Sequence, residues 1–525
     1  MTTTVTVVEV VDGDTIDVRL DNGTKETVRI IGIDTPETSD NVEAERRAEW
    51  EGIEDLTYLG RWGDRASEFA KAELKDTTVE LHQDPNEPNR GSYGRLLRYV
   101  RYDPSGGSDT STVYNQRAIS KGYARVYDSG FTKHDKYLAS ELSARQARRH
   151  VWKRSDPSKV PETRDSSVDL VFVPQTASIH TESGTVNTDR VPVFASASAT
   201  QKLQNGTTYD GDIPLVAVDS DARLAVIGGP LVAEQYEEAE GFPTDTSRYG
   251  NFPFLTNLIS SLTDRSGRII VDGGHGQFDA DYALACEDMA YYLRFLEGQD
   301  IILQQRNSLT IEEVANASAL VVSVPATPFT DEEISVLQSF VNDGGAVVLL
   351  GHGTKEMPSK ARANLNNIIE QLGSDLRLNG DRIVDNESNL NDDACLPATA
   401  NFNDSFDLFG PVTPEKSAES PLKITNIEAA SSKTDEEYDE AVSFKNTSNR
   451  QLDISGWTVT DDSGKRFEFP DGTILPAGTI VQIRTRGRQN KVEFYWNRSQ
   501  NVWNNDGDSV YVHDETGDLV TKRSY

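Results

Sequence analysis

The chain opens in strict alternation. "TTTVTVVEVV" sets valines two apart between threonines and acids, the period of a half-buried strand, and that period returns near Ile16 to Leu20 and Thr27 to Ile33. Apolar positions three and four apart then predict a helix near Trp62 to Leu74. Strands follow near Val79 to His82 and Leu96 to Arg101, with helices near Val113 to Lys121 and Asp135 to Ala147. Five short strands trailed by helices predict a small OB-like β-barrel with a helical flank. After residue 166 the pattern changes to continuous apolar runs ("RLAVIGG", "RIIVDGG", "ALVVSVP", "AVVLLG") alternating with helical segments such as "DEEISVLQSFVNDGG". That is an α/β pattern with a mostly parallel sheet. The last hundred residues show only short strands and turns, the pattern of a β-sandwich. Connectors rich in proline and charge, "SDPSKVPETRDSS" and "FGPVTPEKSAESP", divide the chain into parts at 1–156, 166–410 and 422–525.

Composition adds constraints. At 525 residues the chain is too long for one core. Lys+Arg number 52 against Asp+Glu 85, a net charge of -33, yet the acids are scattered between apolar positions and do not form disordered runs. With 34 Arg to 18 Lys, this is similar to the solvated acidic surface of proteins from salt-accumulating halophiles, so much of the acid is expected to be surface and not site. Two cysteines, Cys286 and Cys395, offer neither a disulfide framework nor paired-thiol metal spacing. The first strand begins without a basic and apolar leader, and no run approaches a membrane span, so a cytoplasmic location is expected, with secretion left open by the choice of start codon. Charge is uneven: Arg90 to Arg154 holds 14 bases and 5 acids, net +9, inside an otherwise acidic chain. Such a stretch implies a phosphate-bearing partner or a solvated helix face.

Asp-Gly-Asp occurs three times, in "VVDGDTIDV", "YDGDIP" and "NDGDSV". Only the first has companions: "VRIIGIDTPET" about twenty residues later, and "NRGSYGRLLRYV", where Arg95 enters a strand behind a tyrosine-glycine turn. This order resembles the staphylococcal nuclease (thermonuclease) family over residues 4 to about 154, through its Asp-Gly-Asp-Thr hairpin, its Arg-bearing strand running into Asp-Thr-Pro-Glu, and its Tyr-Gly-Arg strand. The resemblance implies a nuclease acting on DNA and RNA that leaves 3′-phosphate and 5′-hydroxyl ends. The residue chemistry agrees. A hard cation such as Ca²⁺ takes oxygen ligands in flexible geometry, which Asp14, Asp34 and the Thr35 carbonyl can supply alongside water and phosphate. Glu37 is the candidate to orient or deprotonate a water for in-line attack, and Arg29 and Arg95 offer forks to the phosphate in the transition state. Asp12 is expected to cap the hairpin, and Gly13 to supply a φ that the turn requires. Tyr93 is either a nucleotide-binding aromatic or a barrel-edge residue, and Tyr127 is unassigned. Ser92 stands where the family has a lysine, and Asn41 to Leu59 form a longer acidic excursion, which leaves substrate preference open. Since the five charged site residues all precede Leu96, the barrel is expected to cleave by itself.

The last part, in "EAVSFKNTSNRQLDISGWTVTDDSGKRFEFPDGTILPAGTIVQI" and "YWNRSQNVWNNDGDSVYVHDETGDLV", resembles the lamin-tail domain, an immunoglobulin-type sandwich, with Trp457 expected in its core and the third Asp-Gly-Asp in a hairpin turn. This implies a binding or tethering role toward a protein or surface partner. The middle part resembles the glutamine-amidotransferase-like α/β superfamily in "RIIVDGGHGQF" and "LNNIIEQLGSDLRLNGDRIVD", but neither cysteine follows a strand as that nucleophile would. Its closing portion precedes its opening one, so it is either one circularly permuted domain over about 166–410 or two partial domains. His275 and His352 lie on Gly-rich loops at strand ends, where a turn-stabilising and a ligand-binding role are both open. The leading expectation is a calcium-dependent nuclease with localising modules; the alternative is a non-catalytic binding scaffold built on a nuclease-like barrel.

Overall fold

The computed structural model describes residues 2–107, 109–156, 159, 167–238, 241–279, 282–299, 301–353, 357–412, 422–428, 440–447, 452–476, 478–485, 493–496, 502–503, 508–514, 517 and 519–524. The chain forms two compact units, Met1–Leu138 with His150–Pro414, and Ala139–Arg149 with Glu415–Tyr525.

In the first unit, β1 (Thr2–Val10), β2 (Thr15–Arg19), β3 (Lys25–Ile30), β5 (Thr78–His82) and β6 (Leu96–Tyr102) close a five-stranded barrel. Closure comes from parallel pairing of β3 with β6, Val28 opposite Leu96 and Arg29 opposite Leu97; the other four pairings are antiparallel. The alternation predicted from sequence is what fills the barrel: Val5, Val7, Val10, Ile16, Val18, Val28, Ile30, Val79, Leu81 and Val100 are all buried. Burying each such side chain contributes about 1.5–3 kcal/mol. A register shift between Val7 and Glu9 keeps Val10 on the inner face after the strict alternation ends.

A short β7 (Thr112–Val113) pairs with β6, and two further strands, β4 (Ile33–Asp34) and β8 (Arg125–Val126), pair antiparallel outside the barrel with Asp34 opposite Arg125. The helix α1 (Leu56–Leu74) begins six residues earlier than its apolar period suggested, because the Asp55 carboxylate accepts the Tyr58 amide and caps it. The predicted excursion at 41–59 contains two short helical turns, Val42–Ala44 and Arg47–Glu49.

The middle part carries a seven-stranded sheet in the order Val193–Phe194, Pro214–Asp219, Leu224–Ile227, Ala346–Leu350, Ala317–Ser323, Arg268–Asp272, Leu303–Arg306; the last five run parallel. Alternate residues of these strands feed two separate cores, Ala225, Val271 and Val348 into one and Val226, Ile270 and Leu349 into the other. Both faces are therefore covered, which is why the strands read as unbroken apolar runs. Leu224–Ile227, early in the chain, lies beside the late strand Ala346–Leu350.

In the second unit, two four-stranded sheets share a core that includes Phe444, Trp457, Phe469, Val481, Trp503 and Val510. Trp457 is buried there as its position after Ser-Gly suggested. Of the third Asp-Gly-Asp, residues 506 and 507 lie outside the described residues, whereas Asp508 is buried and accepts the Asp462 and Ser509 amides. Among the described residues no helix is long and apolar enough to cross a membrane.

Candidate active site

The hairpin between β1 and β2 delivers Asp14 to one end of the barrel. There its carboxylate is fully engaged: Oδ1 accepts the Thr15 hydroxyl at 3.0 Å, and Oδ2 accepts both the amide and the hydroxyl of Thr35, at 3.0 and 3.1 Å. Thr15 stands opposite Arg29 in the β2–β3 ladder, so the register itself brings the guanidinium to the same place. Arg29 Nη1 pairs with Asp14 Oδ1 and its Nη2 donates to Asp34 Oδ1 at 2.7 Å. One oxygen of each carboxylate thus converges on a single positive charge. Burial pushes the Asp14 carboxyl up, but Arg29 and the Thr35 amide outweigh it and hold the group below the usual carboxylate range.

Asp12 behaves as expected of a hairpin cap, its carboxylate accepting the Asp14 amide at 3.1 Å. Burial and the neighbouring Asp14 charge push its own pKa up to about 7. The role expected of Gly13 is corrected. Its φ is not among the positive ones; what excludes a side chain is space, since a Cβ would meet Thr35 Cγ2 at 2.7 Å and Ala66 Cβ at 2.8 Å. The same close approach recurs on α1, where a Cβ on Gly63 would meet the Glu37 carbonyl oxygen at 2.2 Å. The helix therefore lies directly against the Pro36–Glu37 backbone.

Glu37 is half-buried on that loop. Its hydrogen bonds are to the excursion that follows it: Oε2 accepts the Asn41 side-chain amide at 2.5 Å, and its own N–H donates to Glu45 Oε2 at 2.6 Å. Glu45 also accepts the Trp50 indole N–H at 2.7 Å, and burial pushes its pKa up to about 7. On α1, Asp64 receives both the amide and the hydroxyl of Ser39, at 3.0 and 2.6 Å. Asn41, Glu45 and Asp64 were not singled out from sequence; the acidic excursion that contains the first two is their only trace there. Arg95 reaches the site mouth, with Nη1 3.5 Å from the Thr15 hydroxyl, and its guanidinium lies 5.5 Å from the ring centre of Tyr93, which is 85% exposed. Tyr127, half-buried, lies under two guanidinium groups, Arg29 at 6.0 Å and Arg125 at 5.9 Å.

Arg125 is the neighbour of the candidate pair that sequence reasoning missed most completely. Its Nε donates to Asp34 Oδ2 at 3.2 Å, Nη2 meets Glu49 at 2.8 Å, and the two Nη groups form a fork on Glu287 at 2.7 and 3.0 Å. Burial pushes the Glu49 carboxyl up, to about 8, against the pull of Arg125. The two convergent oxygens on Arg29 have the hard anionic character a calcium ion requires. Among the described residues no group of three or more His, Cys, Asp or Glu converges for a metal, so a cation at this end of the barrel would rest on the Asp14 and Asp34 pair with backbone and water oxygens.

Three family models match successive stretches of the chain: Staphylococcal nuclease homologue at residues 27–154, IFT52 GIFT domain at 284–388, and Lamin Tail Domain at 415–525. Relatives of the first stretch include an uncharacterized protein of Methanocaldococcus jannaschii, 37% identical over 152 residues that make up 29% of this chain and 72% of that protein. Thermonuclease of Staphylococcus intermedius is 32% identical over 149 residues, 28% of this chain and 73% of the relative. Endonuclease YncB of Bacillus subtilis is 29% identical over 154 residues, 29% of this chain and 62% of the relative.

Proposed function

Because this chain belongs to the staphylococcal nuclease family through its N-terminal barrel, we propose that the barrel is a calcium-dependent phosphodiesterase that hydrolyses DNA and RNA and leaves 3′-phosphate and 5′-hydroxyl ends. The observation that carries this reading is the convergence of Asp14 and Asp34 on the Arg29 fork. Asp14, Asp34 and the Thr35 carbonyl would hold the calcium. When bound, the ion supplies Lewis-acid stabilisation of the phosphate and lowers the pKa of a nearby water.

The chain's own residues do the rest. With the carboxylates committed to a cation, the Arg29 fork is available to a phosphate oxygen, and Arg95 at the mouth supplies a second fork where charge accumulates at phosphorus. Glu37 takes the proton of the attacking water, its carboxylate steadied by Asn41 and its backbone by Glu45. The exposed Tyr93 ring offers a stacking face to a base.

The lamin-tail sandwich serves as a localising or binding module. The α/β part is a circularly permuted member of the amidotransferase-like superfamily without that chemistry: Cys286 is buried, and burial pushes its thiol well above the ordinary range. The acidic, Arg-rich composition supports a salt-tolerant enzyme.

The test is digestion of labelled DNA and RNA by the full chain with and without Ca²⁺, followed by identification of the end groups. Calcium-dependent release of 3′-phosphate ends is the expected result. Tight binding without cleavage would instead establish the scaffold reading.

A further inference from the structure

We propose that Glu287, carried by the α/β part, is a positioning residue for the nuclease site: by holding the Nη fork of Arg125 off Asp34 it sets the affinity of the Asp14 and Asp34 pair for a cation. The inference rests on the proposed cation-binding role of that pair.

The geometry begins with the β4–β8 ladder, which places Arg125 directly opposite Asp34. An arginine there is always charged and competes with any cation for the same carboxylate. Yet the Arg125 fork points elsewhere. Both Nη groups go to Glu287, at 2.7 and 3.0 Å, Nη2 is shared with Glu49 at 2.8 Å, and only Nε faces Asp34, at 3.2 Å. The two side chains are each 7% exposed, so water does little to weaken the pairing.

Glu287 is itself built in. Its Oε2 accepts the Asp128 amide at 3.0 Å, and the turn Cys286–Met289 that carries it is tied to the sheet by the Cys286 amide on Gln305 Oε1 at 2.9 Å. The Gln305 side chain reaches back to the Ser129 carbonyl at 3.2 Å, and Asn307 Nδ2 to the same carbonyl at 2.7 Å. The barrel site is therefore not closed within the barrel. Neutralising Glu287 has two consequences of one sign: the Arg125 charge beside Asp34 loses the partner that takes both ends of its fork and keeps only Glu49, on Nη2, and the freed Nη1 can turn onto Asp34 beside Nε. Both weaken cation binding. Neutralising Arg125 has the opposite sign, because Asp34 keeps its charge and loses a competitor.

Isothermal titration of calcium alone into the full chain, without nucleic acid, separates these signs. Glu287→Gln is expected to weaken calcium binding about tenfold, the scale of one uncompensated charge close to a partly buried site. Arg125→Gln is expected to tighten it, and the double variant to return to within about threefold of the parent, the two charge effects offsetting. Asn307→Ala, which loosens the same contact between barrel and sheet without changing charge, should leave affinity unchanged. Melting curves report folding; should either single variant fail to fold, the charge-balanced double variant and Asn307→Ala still decide, since weakening in both would mean that general loosening governs affinity. Unchanged binding in Glu287→Gln, or equal weakening in Glu287→Gln and Arg125→Gln, overturns the proposal. A parent chain that binds no calcium, indistinguishable from Asp14→Ala, overturns the cation reading of the pair itself and the proposal with it.

Discussion

The tripeptide Asp-Gly-Asp at residues 12–14 and its repeat at 210–212 have identical side chains and opposite surroundings. In the first copy Asp14 is buried, and its two oxygens meet Thr15, Arg29 and Thr35, residues from three separate stretches of chain. In the second, all three residues are exposed and a Cβ on Gly211 would meet nothing within 4 Å. Nothing inside the tripeptide distinguishes a site from a turn. What distinguishes them is the strand pairing that follows, because β2 runs straight into a ladder with β3 that carries Arg29, and β3 leads on to Asp34 and Thr35.

The largest effect should come from removing the carboxylate that differs most between the copies. Asp14→Ala is expected to abolish calcium-dependent cleavage, whereas Asp212→Ala leaves it intact. Asp508→Ala, in the other compact unit, should also leave cleavage intact even if that unit melts at lower temperature, as loss of a buried acceptor of the Asp462 amide would cause. Initial rates on a labelled duplex check all three, and equal losses would refute the comparison.

Next in size come the groups proposed above to act on charge developing in the transition state. Arg29→Ala, Arg95→Ala and Glu37→Gln should each lower kcat by about 10²–10³, the usual cost of one such group, with much smaller changes in KM. A change confined to KM would mean that the residue only holds substrate.

Much of this was legible in the sequence, and the physical reason is locality. Alternating valines fix which face of each strand is inside, so the barrel strands fall within two or three residues of where the period put them. The three site motifs each carry their own geometry: a hairpin for Asp14, a strand end for Arg29 and Asp34, a turn for Arg95. What did not read out depends on distance along the chain. Arg125 looked like one base among fourteen in a basic stretch; only the pairing of β4 with β8 sets it against Asp34, and Glu287 comes from 162 residues away. The purpose of Gly13 was misread for a related reason. A turn preference is local, whereas the pressure of Thr35 and Ala66 on that position appears only after α1 has packed.

That correction gives the third prediction. Gly13→Ala should destabilise the fold by about 1–3 kcal/mol, the range for forcing an extra methyl into a packed site, and should displace Thr35 from Asp14. Gly211→Ala meets open space and should change stability by no more than about 0.5 kcal/mol. Denaturant midpoints of the two variants measure the contrast directly; if Gly13→Ala is as mild as Gly211→Ala, the first copy is not under the close packing described.

The smallest expected effect concerns the loop that only the first copy has behind it. Glu45 grips the Glu37 amide and the Trp50 indole, and burial raises its carboxyl from the ordinary 4.5 to about 7. Between those two values the folded chain keeps a proton that the unfolded chain has released. The associated stability is therefore fully present below about pH 4.5, declines as pH rises toward 7, and stays lost above it. Glu45→Gln cannot ionise and escapes that decline, while its amide oxygen can still accept one of the two hydrogen bonds. The two offset in absolute terms, so the sign lies in the pH trend: the melting temperature of the variant minus that of the parent should be more positive at about pH 8 than at about pH 5, by a few degrees at most in a unit of this size. Thermal melts across that range read the trend without any assay of cleavage. A difference that is flat with pH, or that falls as pH rises, would mean that Glu45 titrates as it does in water and that the Glu37 loop is held by Asn41 and by the Asp64 contact to Ser39 instead.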